Sequence, residues 1–180
     1  MDAEVTIRPA TKEDAEHVER IRTDSWTKAY AHFLPVEKLT TADSEEFLTK
    51  WRNRLAKEGV WMAVVDGRPE AFMTLGKTDY PESGAPRQIH SLYVHPDHQG
   101  KGIGKALIKT AAEDCLKNGE PRLSICVFTQ NEPAKQLYKN LGAQFVAASS
   151  YHIFDEDHPD EAYVWTDLHE LIKNCDSRSK

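Results

Sequence analysis

The stretch that most narrows what this 180-residue chain can become is Leu92-Tyr93-Val94-His95-Pro96-Asp97-His98-Gln99-Gly100-Lys101-Gly102-Ile103-Gly104-Lys105. Gln88 to Val94 reads as a strand that ends at His95-Pro96, since a residue before proline is driven toward extended backbone. From Gly102, the residues Ile103, Leu107, Ala111 and Cys115 recur every fourth position, which predicts a helix stopping near Gly119. A strand, a glycine-rich turn and a helix start therefore follow one another. Glycines let a ligand approach the backbone, and N–H groups at a helix start, with the helix dipole behind them, favour phosphate oxygens. A diphosphate is the natural guest, although three glycines also serve a tight turn and close helix packing. The dinucleotide fingerprint G-x-G-x-x-G fails because Lys105 stands where its third glycine belongs, and the P-loop pattern fails because Gly104-Lys105 precedes Ala106.

The rest of the chain supplies elements for one sheet. Val5 to Arg8 reads as a first strand. Thr11 with Asp14 resembles a capping box, and Ala15, Val18, Ile21, Ser25, Trp26 and Ala29 continue at helical spacing to about Ala29. Asp43 and Glu46 suggest another helix start, with Phe47, Trp51 and Leu55 on one face before Gly59. Val60 to Val65 and Ala71 to Leu75 flank Asp66-Gly67, a strong signal for a two-residue hairpin turn. Arg122 to Phe128 is a strand. Asn131, as N-cap, opens a short helix with Pro133 in its first turn and Ala134, Leu137 and Leu141 on its apolar face. Gln144 to Phe154 and Ala162 to Leu168 read as the last strands, joined by a polar loop over Asp155 to Glu161, and Asn174 to Lys180 as a frayed tail. The expectation is an α/β domain over residues 1–170 with a tail over 171–180, its sheet mixing parallel and antiparallel pairs.

Charge and cysteine usage exclude several classes. A net charge of -6 lacks the basic stripe of a nucleic-acid binder, so neither DNA nor RNA is expected as partner. No apolar run approaches a membrane span, and the first residues lack a secretory layout, which points to a cytoplasmic protein without a membrane partner. Cys115, Cys126 and Cys175 suggest neither a disulfide framework nor a zinc site. His95 and His98 beside Asp97 lack further ligands at plausible spacing, so no metal is expected.

Gln99-x-x-Gly102-x-Gly104 after Leu92-Tyr93-Val94 resembles the (Arg/Gln)-x-x-Gly-x-(Gly/Ala) pattern of GNAT N-acetyltransferases, small bacterial members in particular. Asn131-x-x-Ala134-x-x-x-Tyr138-x-x-x-Gly142 is similar to a second block of that family, and Trp26-x-x-x-Tyr30 with Phe33-Leu34-Pro35 resembles its first helix and following loop. The resemblance covers roughly residues 4 to 168. It implies a GNAT fold of about seven strands and about four helices, splayed between strands 4 and 5, and acetyl transfer from acetyl-CoA to an amine.

The same resemblance implies roles by residue. Backbone groups of Leu92, Tyr93 and Val94 would hold the pantetheine arm, lying in the splay like an added strand. Gln99, Gly100, Lys101, Gly102, Ile103, Gly104 and Lys105 would hold the pyrophosphate, with Asn131 and Lys135 also on the acetyl-CoA side. Tyr138 matches the tyrosine that protonates the departing thiolate, its alternative being helix packing. The family often has a Glu eleven residues before the Arg/Gln, where this chain has Gln88, which cannot take a proton and is left as a substrate contact. His90, two residues along and on the same strand face, is a candidate base, against a structurally satisfied histidine or a water relay. Trp26, Tyr30 and Phe33 either line the acceptor pocket or pack in the core. The acidic run after Phe154 either attracts a cationic substrate such as a polyamine or is a solvated loop. The expected acceptor is a small-molecule amine, the alternatives being a peptide amine or a catalytically weak acyl-CoA sensor, and homodimers are common among such relatives.

Overall fold

The computed structural model describes residues 3–35, 37–40 and 44–177. In chain order its elements are β1 (Val5–Pro9), α1 (Ala15–Tyr30), α2 (Glu37–Thr40), α3 (Ser44–Leu55), β2 (Val60–Val65), β3 (Arg68–Lys77), β4 (Arg87–Val94), α4 (Ile103–Lys117), β5 (Leu123–Phe128), α5 (Glu132–Asn140), β6 (Gln144–Ile153), β7 (Glu156–Trp165) and α6 (Leu168–Asp176). The seven strands are hydrogen-bonded in the order β1-β2-β3-β4-β5-β7-β6. β4 and β5 are parallel, whereas β1–β2, β2–β3, β5–β7 and β6–β7 are antiparallel, which is the expected mixed sheet. The β4–β5 ladder pairs Arg87 with Leu123, Gln88 with Ser124 and Ile89 with Ile125, and both strands then run on past it, as a splayed pair does. Helices exceed the expected four by the short α2 and by α6, whose Leu168, Leu171, Ile172 and Cys175 keep helical spacing where a strand end and a tail were expected.

Two compact units divide the chain, and β3, β4 and α4 each begin in one and end in the other. The first comprises Met1–Thr74 and Ser91–Leu107. Here the Asp14 carboxylate accepts the Thr11 N–H at 2.8 Å and two bonds from the Arg8 guanidinium, also at 2.8 Å, which fixes the entry into α1. Ala15, Val18 and Ile21 of α1 then bury against Leu55, Val60, Met62 and Phe72, with Trp51 and Tyr93 packed alongside. The β2–β3 turn places Asp66 and Gly67 at φ +48° and +83°, the backbone a tight primed turn requires. Asp43, read as part of a helix start, lies outside the described residues.

Leu75–His90 and Ile108–Lys180 form the second unit. Its apolar interior includes Ile89, Ile108, Ala111, Leu123, Ile125 and Trp165. Two expectations are corrected here. The acidic run is strand rather than loop: the chain reverses at Phe154 and Asp155, with φ +56° and +64°, and β7 starts at Glu156. Glu156 to Pro159 pair with Ile153 to Ser150 of β6, while β7 meets β5 from Asp160 onward, so the charged part of β7 is an arm at which Pro159 needs no second ladder. The final strand also ends at Trp165, not Leu168. The Asp167 carboxylate accepts the Glu170 N–H at 3.0 Å and opens α6, which carries helix through Asn174 to Asp176 where a frayed tail was expected.

Candidate active site

In the first unit, the segment after β4 forms an open amide cradle. Gly100 and Gly102 have φ +76° and +82°, and a Cβ added at either would meet nothing within 4 Å, so a ligand reaches the backbone unobstructed. The Gly102 carbonyl accepts the Ala106 N–H at 3.1 Å as α4 begins. Ile103 and Gly104, in the first turn, have no carbonyl one turn earlier inside the helix to receive their N–H groups. The turn is held from behind: Gln99 Nε2 and Ser25 Oγ both donate to the Val94 carbonyl, at 3.0 and 3.1 Å, and Lys101 Nζ donates to the Asp97 carbonyl at 3.0 Å. Gln99 thus shapes the cradle with its side chain, and its own N–H donates to the Pro96 carbonyl at 3.4 Å. His95 is fully engaged, Nδ1 accepting the Asp97 N–H at 3.3 Å and Nε2 facing Asp24 at 3.1 Å. Among the described residues, no group of three or more His, Cys, Asp or Glu side chains is placed to hold a metal ion.

Polar side chains gather in the second unit at the start of β4. Gln88 is buried, its amide oxygen accepting the Asp79 N–H at 2.9 Å and facing Thr78 Oγ1 at 3.4 Å. Its Nε2 points to Cys126 Sγ at 3.2 Å and to His90 Nδ1 at 3.4 Å. Gln88 is therefore scaffold and not a surface contact, a correction that follows from its amide being used at both ends. His90 Nε2 lies 2.8 Å from the Lys77 carbonyl, which can only accept, so this nitrogen carries the hydrogen and Nδ1 carries the lone pair. Asp79 Oδ2 stands 3.5 Å from that Nδ1. Gly76 leaves room for the ring, since a Cβ there would come within 3.3 Å of the imidazole.

Other expected site residues are placed differently. Trp26 and Tyr30 are buried, their rings edge-on at 5.2 Å, with Tyr93 6.2 Å from Trp26: they take the core alternative, and half-buried Phe33 continues the stack at 5.4 Å from Tyr30. Asn131 caps α5, its side chain accepting the Ala134 N–H at 3.3 Å. Lys135 Nζ reaches the Thr129 carbonyl at 3.1 Å, Glu132 at 3.0 Å and Glu161 at 2.9 Å. Those three contacts use its three donors, and Glu161 first, then Glu132, pushes its pKa up to about 12. The expectation that Lys135 binds acetyl-CoA is corrected to an internal tie between α5 and β7. Tyr138 is buried on α5, edge-on to Trp165 at 5.9 Å.

The family model of the acetyltransferase (GNAT) family matches residues 18–143. This chain belongs to that family. As an acyl-CoA N-acyltransferase it is 28% identical over 168 residues to the uncharacterized N-acetyltransferase YuaI of Bacillus subtilis, covering 93% of this chain and 96% of the relative. It is 26% identical over 139 residues to the L-methionine sulfoximine/L-methionine sulfone acetyltransferase of Salmonella typhimurium, covering 77% and 79%. The PaiA N-acetyltransferase of Thermoplasma acidophilum, solved in complex with coenzyme A, superposes on this acetyltransferase with TM-score 0.69 at 21% identity, covering 88% of this chain and 98% of that one. No helix among the described residues is long and apolar enough to cross a membrane.

Sequence reading gave no site role to Asp79, Tyr80 or Cys126 of this GNAT chain, and took Asp160 only as one member of the acidic run weighed as attracting a cationic substrate. Strand alternation was the available signal: Asp160 shares a face of β7 with the buried Ala162 and Val164.

Proposed function

We propose that this enzyme transfers the acetyl group of acetyl-CoA directly to a primary amine of a small molecule. The observation that carries it is the glycine turn at the start of α4, whose backbone is open to a ligand at Gly100 and Gly102. Amides of Gly100 to Gly104 hold the pyrophosphate there, and the backbone of Leu92 to Val94 takes the pantetheine arm. Acetyl-CoA supplies the activated thioester. His90 receives the amine's proton on Nδ1, because its other nitrogen is held by Lys77 and because Asp79 lies beside the imidazolium so formed. Gln88 Nε2 faces that Nδ1 in the neutral ring, a contact that gives way when Nδ1 takes the proton. Tyr138 donates a proton to the departing thiolate. The sulfoximine and sulfone acetyltransferase supports a small amine-bearing acceptor, and Phe33 is the aromatic of the expected trio exposed enough to meet one.

The test is CoA release, followed with a thiol reagent, over a panel of amines for the wild type, Tyr138→Phe and His90→Gln. Tyr138→Phe is expected to lower kcat about 100-fold with little change in acetyl-CoA affinity, and His90→Gln to remove the acidic limb of the pH–rate profile. Unchanged turnover removes Tyr138 from the acid role, and an unchanged acidic limb removes His90 as the base. Tight acetyl-CoA binding without release for any amine overturns the enzyme reading in favour of an acyl-CoA sensor.

A further inference from the structure

We propose that Asp160, with Tyr80, recognises a second cationic group on the acceptor, so that the preferred substrates are diamines or polyamines. The proposal rests on acetyl transfer to a small amine and names the substrate class. Three buried acids make the comparison. Asp14 meets Arg8 at 2.8 Å, and Glu70 meets Arg20 at 3.0 Å and Arg68 at 3.4 Å. Asp160 is 7% exposed, yet its contact is the Tyr80 phenol, 3.5 Å from each carboxylate oxygen and at the outer limit of a hydrogen bond. Among the described residues no Lys, Arg or His pairs with it.

Burying a carboxylate without a cation is strongly unfavourable, and the neighbours of Asp160 on its face of β7 do not supply one: Ala162 is apolar, and the buried His158 faces Glu156 instead, at 3.8 Å. Burial accordingly raises the Asp160 pKa, as befits a group awaiting a positive charge. Access is at hand: Asp160 sits opposite Phe128 on β5 and Ser149 on β6, and Ser149 is exposed while Cys126 is half-buried. A line of polar groups leads from it through Tyr80 and Cys126 to Gln88 and His90, all within one unit. The thiol in that line is inert, its pKa pushed up to about 12 mainly by burial. One end of the line thus holds an unpaired negative charge with an aromatic ring beside it, suited to an ammonium group, and the other end holds the candidate proton acceptor.

The test compares 1,4-diaminobutane with butylamine, which share a chain and differ in the second ammonium. For wild type and Asp160→Asn, with Asp160→Ser in reserve should the first not fold, kcat/KM is measured by CoA release. Equilibrium binding of each amine is measured by calorimetry in the presence of CoA. The wild type is expected to favour the diamine by about tenfold or more, and the substitution to abolish that preference. Equal use of both amines by the wild type, or a preference surviving the loss of Asp160, overturns the site while leaving acetyl transfer standing. Diamine binding that depends on Asp160 without acetylation of either amine supports the site and sinks the transfer reading alone.

Discussion

Asp160 has a consequence for stability as well as recognition. Its carboxyl is raised chiefly by burial, so the folded protein holds that proton more tightly than the unfolded chain, whose aspartates titrate at about 3.9. The stability it contributes is complete below that value and is lost as pH rises through the folded pKa. Asp160→Asn removes the charge and keeps the shape. The variant should match the wild type in thermal melts near pH 4 and exceed it at pH 8 by about 2–4 °C, the shift that about 1 kcal/mol produces in a chain of this size. A lower melting temperature for the variant at pH 8 would show that the ionised carboxylate is already satisfied. Lys135 is the opposite case: it is equally hidden, but Glu132 and Glu161 compensate its charge within the protein, which leaves nothing for a ligand.

The strand–turn–helix formed by β4 and α4 is the element whose geometry carries the acyl-CoA reading, and its glycines are not equivalent. Gly102 sits at φ +82°, where any side chain strains the backbone even though space is open. Gly104 has ordinary helical backbone, and an added Cβ would touch Val94 Cγ2 at 3.9 Å, a normal contact. Gly102→Ala should therefore weaken acetyl-CoA binding about tenfold, and Gly104→Ala should change it less than about twofold. Calorimetric titration of both variants checks this, and equal losses would mean that side-chain bulk rather than backbone conformation governs the turn. The element was largely legible beforehand: Ile103, Leu107, Ala111 and Cys115 are all buried, as their four-residue spacing requires. The Asp167–Glu170 cap of α6 was equally local and went unread because a strand was extended through it.

For the molecule as a whole, a ligand bound by native backbone amides stabilises the folded state by mass action. Acetyl-CoA at about 100 times its Kd should add about 2.7 kcal/mol and raise the melting temperature by about 5–10 °C. A melting temperature unmoved at millimolar acetyl-CoA would contradict the cradle irrespective of any acceptor. The periodicities of β1, α1, α3, β2, α4, β5 and α5, the tight β2–β3 turn and the glycine turn were determined by the sequence alone, because each is set by residues within a few positions of one another. Tertiary structure decided the rest. Whether Trp26 and Tyr30 face a ligand or the core depends on what packs over α1, and which lysine is neutralised depends on strands far along the chain. Asp160 reads as one acid in a charged run until Phe128 and Ser149 are brought opposite it, for strand register joins residues that local pattern cannot connect.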